Sequence, residues 1–317
     1  MQVLELEEPI FNLEQKVEEL IALSQKDNLD LSDEIHKLKK KIKRKQRDTF
    51  ARLNSWERTL VARHPDRPYT KDYIDRIISD FMELHGDRTF GEGSSIVGGI
   101  GKLDGRTVVV LGHQKGRDTK EKLYRNFGMS MPEGFRKALR LMKFAAKFKK
   151  PIIAFMDTPG AFPGIEAEER GQAGAIAENL KEMAMLPVPL ISVVIGEGGS
   201  GGALAIGMGN RVLMLENSVY SVISPEGCAA ILWGSNEKVK EAAEALSITA
   251  PNLKQAGIID EIVKEPLGGA HKHYDWISSI LRRALRRHLN ELCGMSPEEL
   301  IQQRLRKYRE IGEFIEV

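Results

Sequence analysis

The sequence predicts an α/β fold with a largely parallel sheet, and three observations predict it. Short β-rich runs alternate with helical periods from about residue 95 onward, the strand-to-helix junctions are rich in glycine, and an Asp-Gly pair marks a hairpin where the series begins. The hairpin joins residues 95–102 to 107–114 through Asp104-Gly105, a pair that tolerates the left-handed backbone of a tight turn. A helix is expected from about Glu133, with Phe135, Ala138, Leu139, Met142, Ala145 and Ala146 on one face and Pro151 as its stop. PIIAFMD (151–157) then reads as a short buried strand. The pattern repeats: a helix at about 167–186, a strand at 189–195, a helix at about 201–208, a strand at 212–215. SVYSVIS (218–224) reads as another strand, and Pro225 opens a further helix.

The flanks are helical. Leu13, Val17, Leu20 and Ile21 recur at helical spacing, residues 27–32 form a loop, and Asp33 is placed to cap a second helix that carries Ile35, Leu38 and Ile42 on one face. Eight of the eleven residues from 37 to 47 are Lys or Arg. The two prolines of HPDRPYT (64–70) break this arm. Thr70 and Asp72 then start a helix expected to run through Tyr73, Ile77, Ile78, Phe81 and Leu84. At the other end Trp276, Ile277, Ile280, Leu281, Leu285, Leu289 and Leu292 keep a helical period, and Ser296-Pro297-Glu298-Glu299 is a capping box. Three parts are therefore expected: a helical arm over 1–65, a core over 66–270 and C-terminal helices over 271–317.

At 317 residues the chain is long enough for a large core without a disulfide or metal staple. The net charge of +2 excludes whole-molecule attraction to nucleic acid or membrane, so any basic character is local. Cys228 and Cys293 are the two cysteines, and they can build neither a zinc ribbon nor a disulfide framework. The start, MQVLELEEPI, has no basic region ahead of an apolar stretch, and no run of about 18 apolar residues occurs. A cytoplasmic chain without its own metal is expected.

VVIGEGGSGGALAIGMG (193–209) carries the most chemical information: a β-branched strand, a glycine turn, then a short helix of small residues. Such a turn presents N–H groups that nothing in the helix accepts, and glycine lets a ligand approach them closely. Three readings are open. Gly196, Gly198 and Gly201 match the GxGxxG of a dinucleotide site, but only about ten residues remain for the helix where a βαβ unit needs about 30 in all. The glycines can instead serve tight helix–sheet packing, or form an oxyanion hole. A second glycine-rich strand exit upstream, DTPGAFPGIEAEERGQ (157–172), favours the last reading. Its Asp157-Thr158-Pro159-Gly160 resembles the DxxG of a GTPase, yet no GxxxxGK[ST] exists to hold phosphates. Glu168 and Glu169 read as solvated residues near a helix start.

The runs GHQKGRDTKEK (112–122), RNFGM (125–129), PEGFRKALRLM (132–142), DTPGAFPG (157–164), GEGGSGGALAIG (196–207) and YSVISPEGCAAILW (220–233) together resemble the acetyl-CoA carboxylase carboxyltransferase alpha-subunit family of bacteria and plastids. The resemblance extends from the N-terminal helices through PLGGAH (266–271). It implies a crotonase-like fold, a spiral of ββα units. It also implies a zinc-ribbon-bearing beta subunit of the same fold, an alpha2beta2 assembly with the active site between subunit types, a biotin carboxyl carrier protein and a biotin carboxylase. The implied reaction moves the carboxyl group of carboxybiotin to acetyl-CoA and gives malonyl-CoA, the first committed step of fatty acid synthesis. By resemblance, the backbone N–H groups of Gly201 and Gly202 stabilise the biotin ureido oxygen. Gly160, Gly198 and Gly199 line the substrate, and Arg125 and Gly128 lie near the transferred group. No side-chain base is then required, which leaves His113 a structural role.

Among the basic residues Lys115, Arg117, Lys120, Lys122, Arg125, Arg136, Lys137, Arg140 and Lys143, a solvated face is the plain reading, and contact with coenzyme A phosphates the functional one. The 37–47 cluster fits solvent or partner contact, or an RNA surface, although no aromatic residues interleave its charges. Two other functions compete with the transferase: another crotonase-like acyl-CoA enzyme, and an RNA-binding scaffold using 37–47.

Overall fold

The computed structural model describes residues 3–312. Helices α1 (Glu8–Asp27) and α2 (Ser32–Ala51) form a hairpin that closes over Ile10, Val17 and Ile42. Asp33 lies inside the first turn of α2, not at its cap. Helix α3 (Ser55–Ala62) starts with a complete capping box between Asn54 and Glu57, and α4 (Thr70–Ile77) follows the Pro-rich turn.

The expected continuation of α4 through Phe81 and Leu84 is not observed. The chain leaves the helix at Ile77, and β1 (Ser79–Glu83) pairs antiparallel with β2 (Ile96–Leu103). Ile78, Phe81 and Leu84 fit a helical spacing, but the otherwise open edge of β2 supplies backbone partners that a longer helix would forgo. β2 and β3 (Arg106–His113) form the expected hairpin, with Asp104 and Gly105 at φ 50° and 80°.

Beyond it come α5 (Thr119–Tyr124), α6 (Pro132–Lys147, with Pro132 at its first turn), β4 (Ile152–Thr158), α7 (Ile165–Glu169) and α8 (Gln172–Ala184). The single helix expected over 167–186 is thus two, broken at Gly171, whose φ of 82° no helix accommodates. Next are β5 (Leu190–Gly199), α9 (Ser200–Gly207), β6 (Arg211–Leu215), β7 (Val219–Ser221) and α10 (Pro225–Trp233). The β7 strand is shorter than the 218–224 expected, because Ser224 turns to cap α10 through the Gly227 N–H. The chain then forms α11 (Val239–Ala245), α12 (Ala250–Gln255), β8 (Glu261–Val263), α13 (Tyr274–Leu292) and α14 (Pro297–Arg309).

Among the described residues one sheet runs β1-β2-β3-β4-β5-β6-β8, with β7 added beside the end of β5; every pairing from β3 onward is parallel. Alternate residues serve opposite faces. Val108, Val110, Ile153 and Phe155 pack on one side with Tyr73 and Ile77 of α4 and with Ile277, Leu281 and Leu285 of α13. Val109, Leu111, Ala154 and Met156 pack on the other with Leu141 and Met142 of α6, Met183 of α8 and Ile206 of α9. Trp276, counted in the apolar stripe of α13, is 55 % exposed: it lies one position off the face that Ile277 and Leu281 bury. Both sheet faces being covered, the loops at the C-terminal ends of the parallel strands are left to meet a ligand.

Candidate active site at the glycine turn

Three loops meet where β3, β4 and β5 end. The first, residues 125–130, has left-handed backbone at Asn126, Phe127 and Gly128 in succession, with φ of 48°, 56° and 83°. Two of these are not glycine, so the surrounding contacts hold a strained turn. The second, residues 157–162, is tied to the first by Phe162 N–H to Ser130 O at 3.0 Å, and Gln172 Nε2 donates to the carbonyls of both Ser130 and Phe162. The third is the glycine turn 198–202. A Cβ at Gly202 would lie 2.5 Å from the Gly160 carbonyl carbon, and one at Gly199 would lie 2.1 Å from Pro159 O. Gly198 faces the Tyr220 ring at 2.7 Å in the same sense. These three positions require glycine for closeness alone. At Gly201 a Cβ would make an ordinary contact with Ile176 of α8 at 3.4 Å, and at Gly160 nothing lies within 4 Å, so the turn is open on the Gly160 side.

Ser200, the non-glycine of the turn, takes a φ of 47°. That left-handed step swings the chain from β5 directly into α9. Gly201 and Gly202 thereby sit in the first turn of α9, where backbone N–H groups have no acceptor within the helix. Among the described residues neither donates to a carbonyl outside it.

Charged groups brace the turn from below. Lys115 Nζ lies 2.8 Å from Asp157 Oδ1 and 3.1 Å from Glu197 Oε1, and Arg63 Nε lies 2.6 Å from Glu197 Oε2. Arg63 also reaches Glu226 on α10 at 2.5 Å. Burial alone would raise the Glu197 carboxyl, but the Lys115 and Arg63 charges hold it below the ordinary range. Burial alone would lower Lys115, and the carboxylates of Asp157 and Glu197 raise it instead. Sequence reasoning missed this network. Its one signal was a charged residue at or just beyond the end of each β-rich run: Lys115, Asp157 and Glu197.

His113 is fully buried, and burial with the Lys115 charge pushes it down to about 3, so it is neutral. The Asp157 N–H donates to its Nδ1 at 3.4 Å, which makes it part of the scaffold. Gly128 packs on the Lys115 stem and so lies beside the turn. Arg125 is engaged differently: its guanidinium donates to Ser94 O at 2.6 Å and lies over the Tyr124 ring. Most of the other cations are held internally, Arg117 by Asp72, Arg136 by Asp87, Lys137 by Glu92 and Lys143 by Glu182. Lys120 and Lys122 make no ion pair among the described residues and stay available to an anionic ligand. Glu168 and Glu169 are exposed on α7.

Among the described residues two groups have metal-ligand character, Glu7–His64–His271 and Glu83–His85–Glu92. In the first, buried group, Asp66 N–H donates to His64 Nδ1 at 3.0 Å, so the neutral ring carries its proton on Nε2 toward Glu7. His271 Nε2 meets the other Glu7 oxygen at 2.8 Å. The geometry is that of a hydrogen-bonded clasp between the start of α1 and the core. In the second, Lys137 and Lys71 already pair with Glu92 and Glu83.

The family profile described as acetyl co-enzyme A carboxylase carboxyltransferase-like matches residues 3–312. A curated relative from Geobacter metallireducens, acetyl-coenzyme A carboxylase carboxyl transferase subunit alpha, is 60% identical over 313 residues, which is 99% of this chain and 98% of that protein. The chain belongs to this family. A subunit alpha from Bordetella pertussis is 55% identical over 99% of the chain and 98% of its own length.

This carboxyltransferase alpha chain also shares its crotonase-like fold with solved structures of low identity. The transcarboxylase 12S core gives a TM-score of 0.59 at 19% identity, over 72% of this chain and 42% of that one. A chain of the Pseudomonas malonate decarboxylase hetero-tetramer gives 0.56 at 20%, over 68% and 86%. Membership makes the chain one subunit of a multisubunit carboxyl transferase. Among the described residues no helix is long and apolar enough to cross a membrane.

Proposed function

We propose that the glycine turn binds the group that gives up the carboxyl in carboxyl transfer to acetyl-CoA, with Gly201 and Gly202 as backbone donors. The observation that carries this reading is the pair of N–H groups in the first turn of α9 that no helix carbonyl accepts, at the end of a turn braced by buried charges, with Gly202 held against the 157–162 loop. Carboxybiotin, when bound, supplies the carboxyl group, and negative charge develops on its ureido oxygen as that group leaves. The Gly201 and Gly202 N–H groups meet this charge already oriented, so they need no reorganisation during the reaction. Gly160 leaves room for a flat ring, Gly199 and Gly202 keep the turn pressed against the 157–162 loop, and Gly198 packs on the Tyr220 ring. Gly128 and the Arg125 loop border the same opening, and Lys120 and Lys122 are the free cations nearest in sequence for coenzyme A phosphates. His113 is unsuited to proton transfer, being buried and neutral.

The reading needs a partner, because the opening lies on one chain only. A beta subunit of like fold, in an alpha2beta2 assembly, completes it, and a biotin carboxyl carrier protein charged by biotin carboxylase delivers the donor. The chain divides accordingly into an arm (1–65), a transferase core (66–270) and C-terminal helices (271–317), in the cytoplasm.

The test mixes the purified chain with its beta partner and follows biotin-dependent exchange between malonyl-CoA and acetyl-CoA. Activity is expected in the mixture alone. Gly202→Val in an assembled complex keeps the N–H but drives a side chain into Gly160 and Ala161, so the donor is displaced and kcat is expected to fall by about a hundredfold or more, as when an oxyanion donor is lost. Undiminished turnover in that complex would reject the oxyanion role, and exchange by the isolated chain would point to a self-sufficient acyl-CoA enzyme.

A further inference from the structure

The strands that deliver the glycine turn are out of step. β4 and β5 pair through Met156 opposite Val194, and pairing resumes at Thr158 opposite Gly198. Asp157 alone therefore spans Ile195, Gly196 and Glu197. Such an interruption strands ladder donors in a buried place, where each must find another acceptor. Asp157 supplies it: its Oδ1 accepts the Glu197 N–H at 3.0 Å. Gly196 makes the approach possible, since a Cβ there would lie 2.3 Å from that same oxygen. Lys115 Nζ donates to this oxygen and to the Glu197 carboxylate, so one ammonium joins both sides of the bulge. Gly128, at the end of the strained 126–128 turn, lies against the Lys115 stem, where a Cβ would meet Cγ at 2.8 Å. The lysine is confined along its stem and at its tip.

We propose that Lys115 is a positioning residue, which holds the β5 bulge through Asp157 and Glu197 and so aims the N–H groups of Gly201 and Gly202. The assignment rests on the oxyanion reading given above. It has a consequence that simple packing lacks. Without the ammonium, two carboxylates face each other in a buried site and share a proton, as close carboxylate pairs do. At low pH a carboxyl–carboxylate hydrogen bond re-bridges the bulge; at high pH the two charges repel and the bulge opens. Arg63 remains on the far oxygen of Glu197 and keeps that residue in place.

The experiment measures steady-state exchange across pH in the assembled complex, with assembly and melting temperature checked for every variant. Lys115→Met is expected to lose about tenfold or more in kcat near pH 8 with KM for acetyl-CoA within about threefold, and to regain part of the loss toward pH 6. The double variant Lys115→Met/Glu197→Gln is expected to recover about threefold or more over the single one, because the Gln amide can donate to Asp157. Should Lys115→Met not assemble, Glu197→Gln alone tests the same link, with a kcat loss of about threefold to tenfold at unchanged KM. Wild-type kcat in the single variants, or a pH-independent loss with no recovery in the double, overturns the proposal. Gly202→Val is assayed alongside. Its inactivity beside an unaffected Lys115→Met removes the positioning role only, whereas its full activity removes the oxyanion reading itself.

Discussion

Asp87 shows how one side chain can set a loop. Its Oδ1 accepts the N–H groups of Thr89, Phe90 and Gly91 at 2.8–2.9 Å, and Arg136 Nε meets its Oδ2 at 2.8 Å. Burial opposes ionisation, but these donors together hold the carboxyl at about 2, below its ordinary 3.8. The depressed value means that the folded state binds the proton less readily than the unfolded chain. The stabilisation is thus fully present above about pH 4 and is lost as pH falls toward 2. A shift of this size is worth roughly 2 kcal/mol. Asp87→Asn is therefore expected to cost about 2 kcal/mol near neutral pH and to flatten the acid limb of stability, read by urea unfolding between pH 3 and 7. Unchanged pH dependence in the variant would show that the acid limb belongs to other carboxylates. The effect reaches the site, because the loop that Asp87 orders leads to Ser94, whose carbonyl receives Arg125.

At the level of elements, local signals were legible and long-range ones were not. The Asp104-Gly105 hairpin and the Ser296–Glu299 capping box are decided within a few residues, and both formed where the pattern put them. β1 and the three-residue β8 exist because a neighbouring strand offers them partners, which no short window contains. The same distinction divides the site. The glycines announced a tight turn, whereas the bond between Lys115, Asp157 and Glu197 depends on a register slip between two strands. Arg304 on α14 belongs to the illegible class. Its guanidinium, fully buried, donates to the carbonyls of Met183, Leu186 and Val188 and to Asn210 Oδ1, so it closes the end of α8 and fastens α14 to the core. Burial lowers it to about 10, which still leaves it charged at neutral pH. Arg304→Met should cost about 3 kcal/mol or more, since it leaves several buried acceptors unpaired. Lys is expected to rescue little, lacking the planar fork that reaches them all. Thermal unfolding measures both, and a loss under about 1 kcal/mol would mean that water replaces the guanidinium.

On the scale of the whole molecule, apolar surface gathers on the segments that leave the strand ends. Val222 and Ile231 are each 75 % exposed, Leu232 and Trp233 lie further along α10, and Leu204 is exposed on α9 itself. The sequence of α10, PEGCAAILW, is apolar around much of its circumference, yet only Pro225 and Ala229 are buried. A helix of that character ordinarily packs on both sides, so its outer face fits a partner's surface. It is also linked to the turn: Glu226 at its start pairs with Arg63, which holds Glu197. If the beta subunit proposed above docks there, it covers the apolar face of α10 next to its Glu226–Arg63 link to the turn. Ile231→Asp and Leu232→Asp place a charge where apolar contact is expected, and each should weaken assembly by about 2 kcal/mol or more while leaving the isolated chain's melting temperature unchanged. Size-exclusion chromatography or ultracentrifugation of the mixed subunits reads assembly, and exchange activity should fall in step with it. Trp276→Asp on α13, another exposed apolar residue far from α10 in the sequence, serves as the control and should assemble normally. If Ile231→Asp assembles and turns over like the wild type, the partner meets another face, and the exposed α10 surface needs a different occupant.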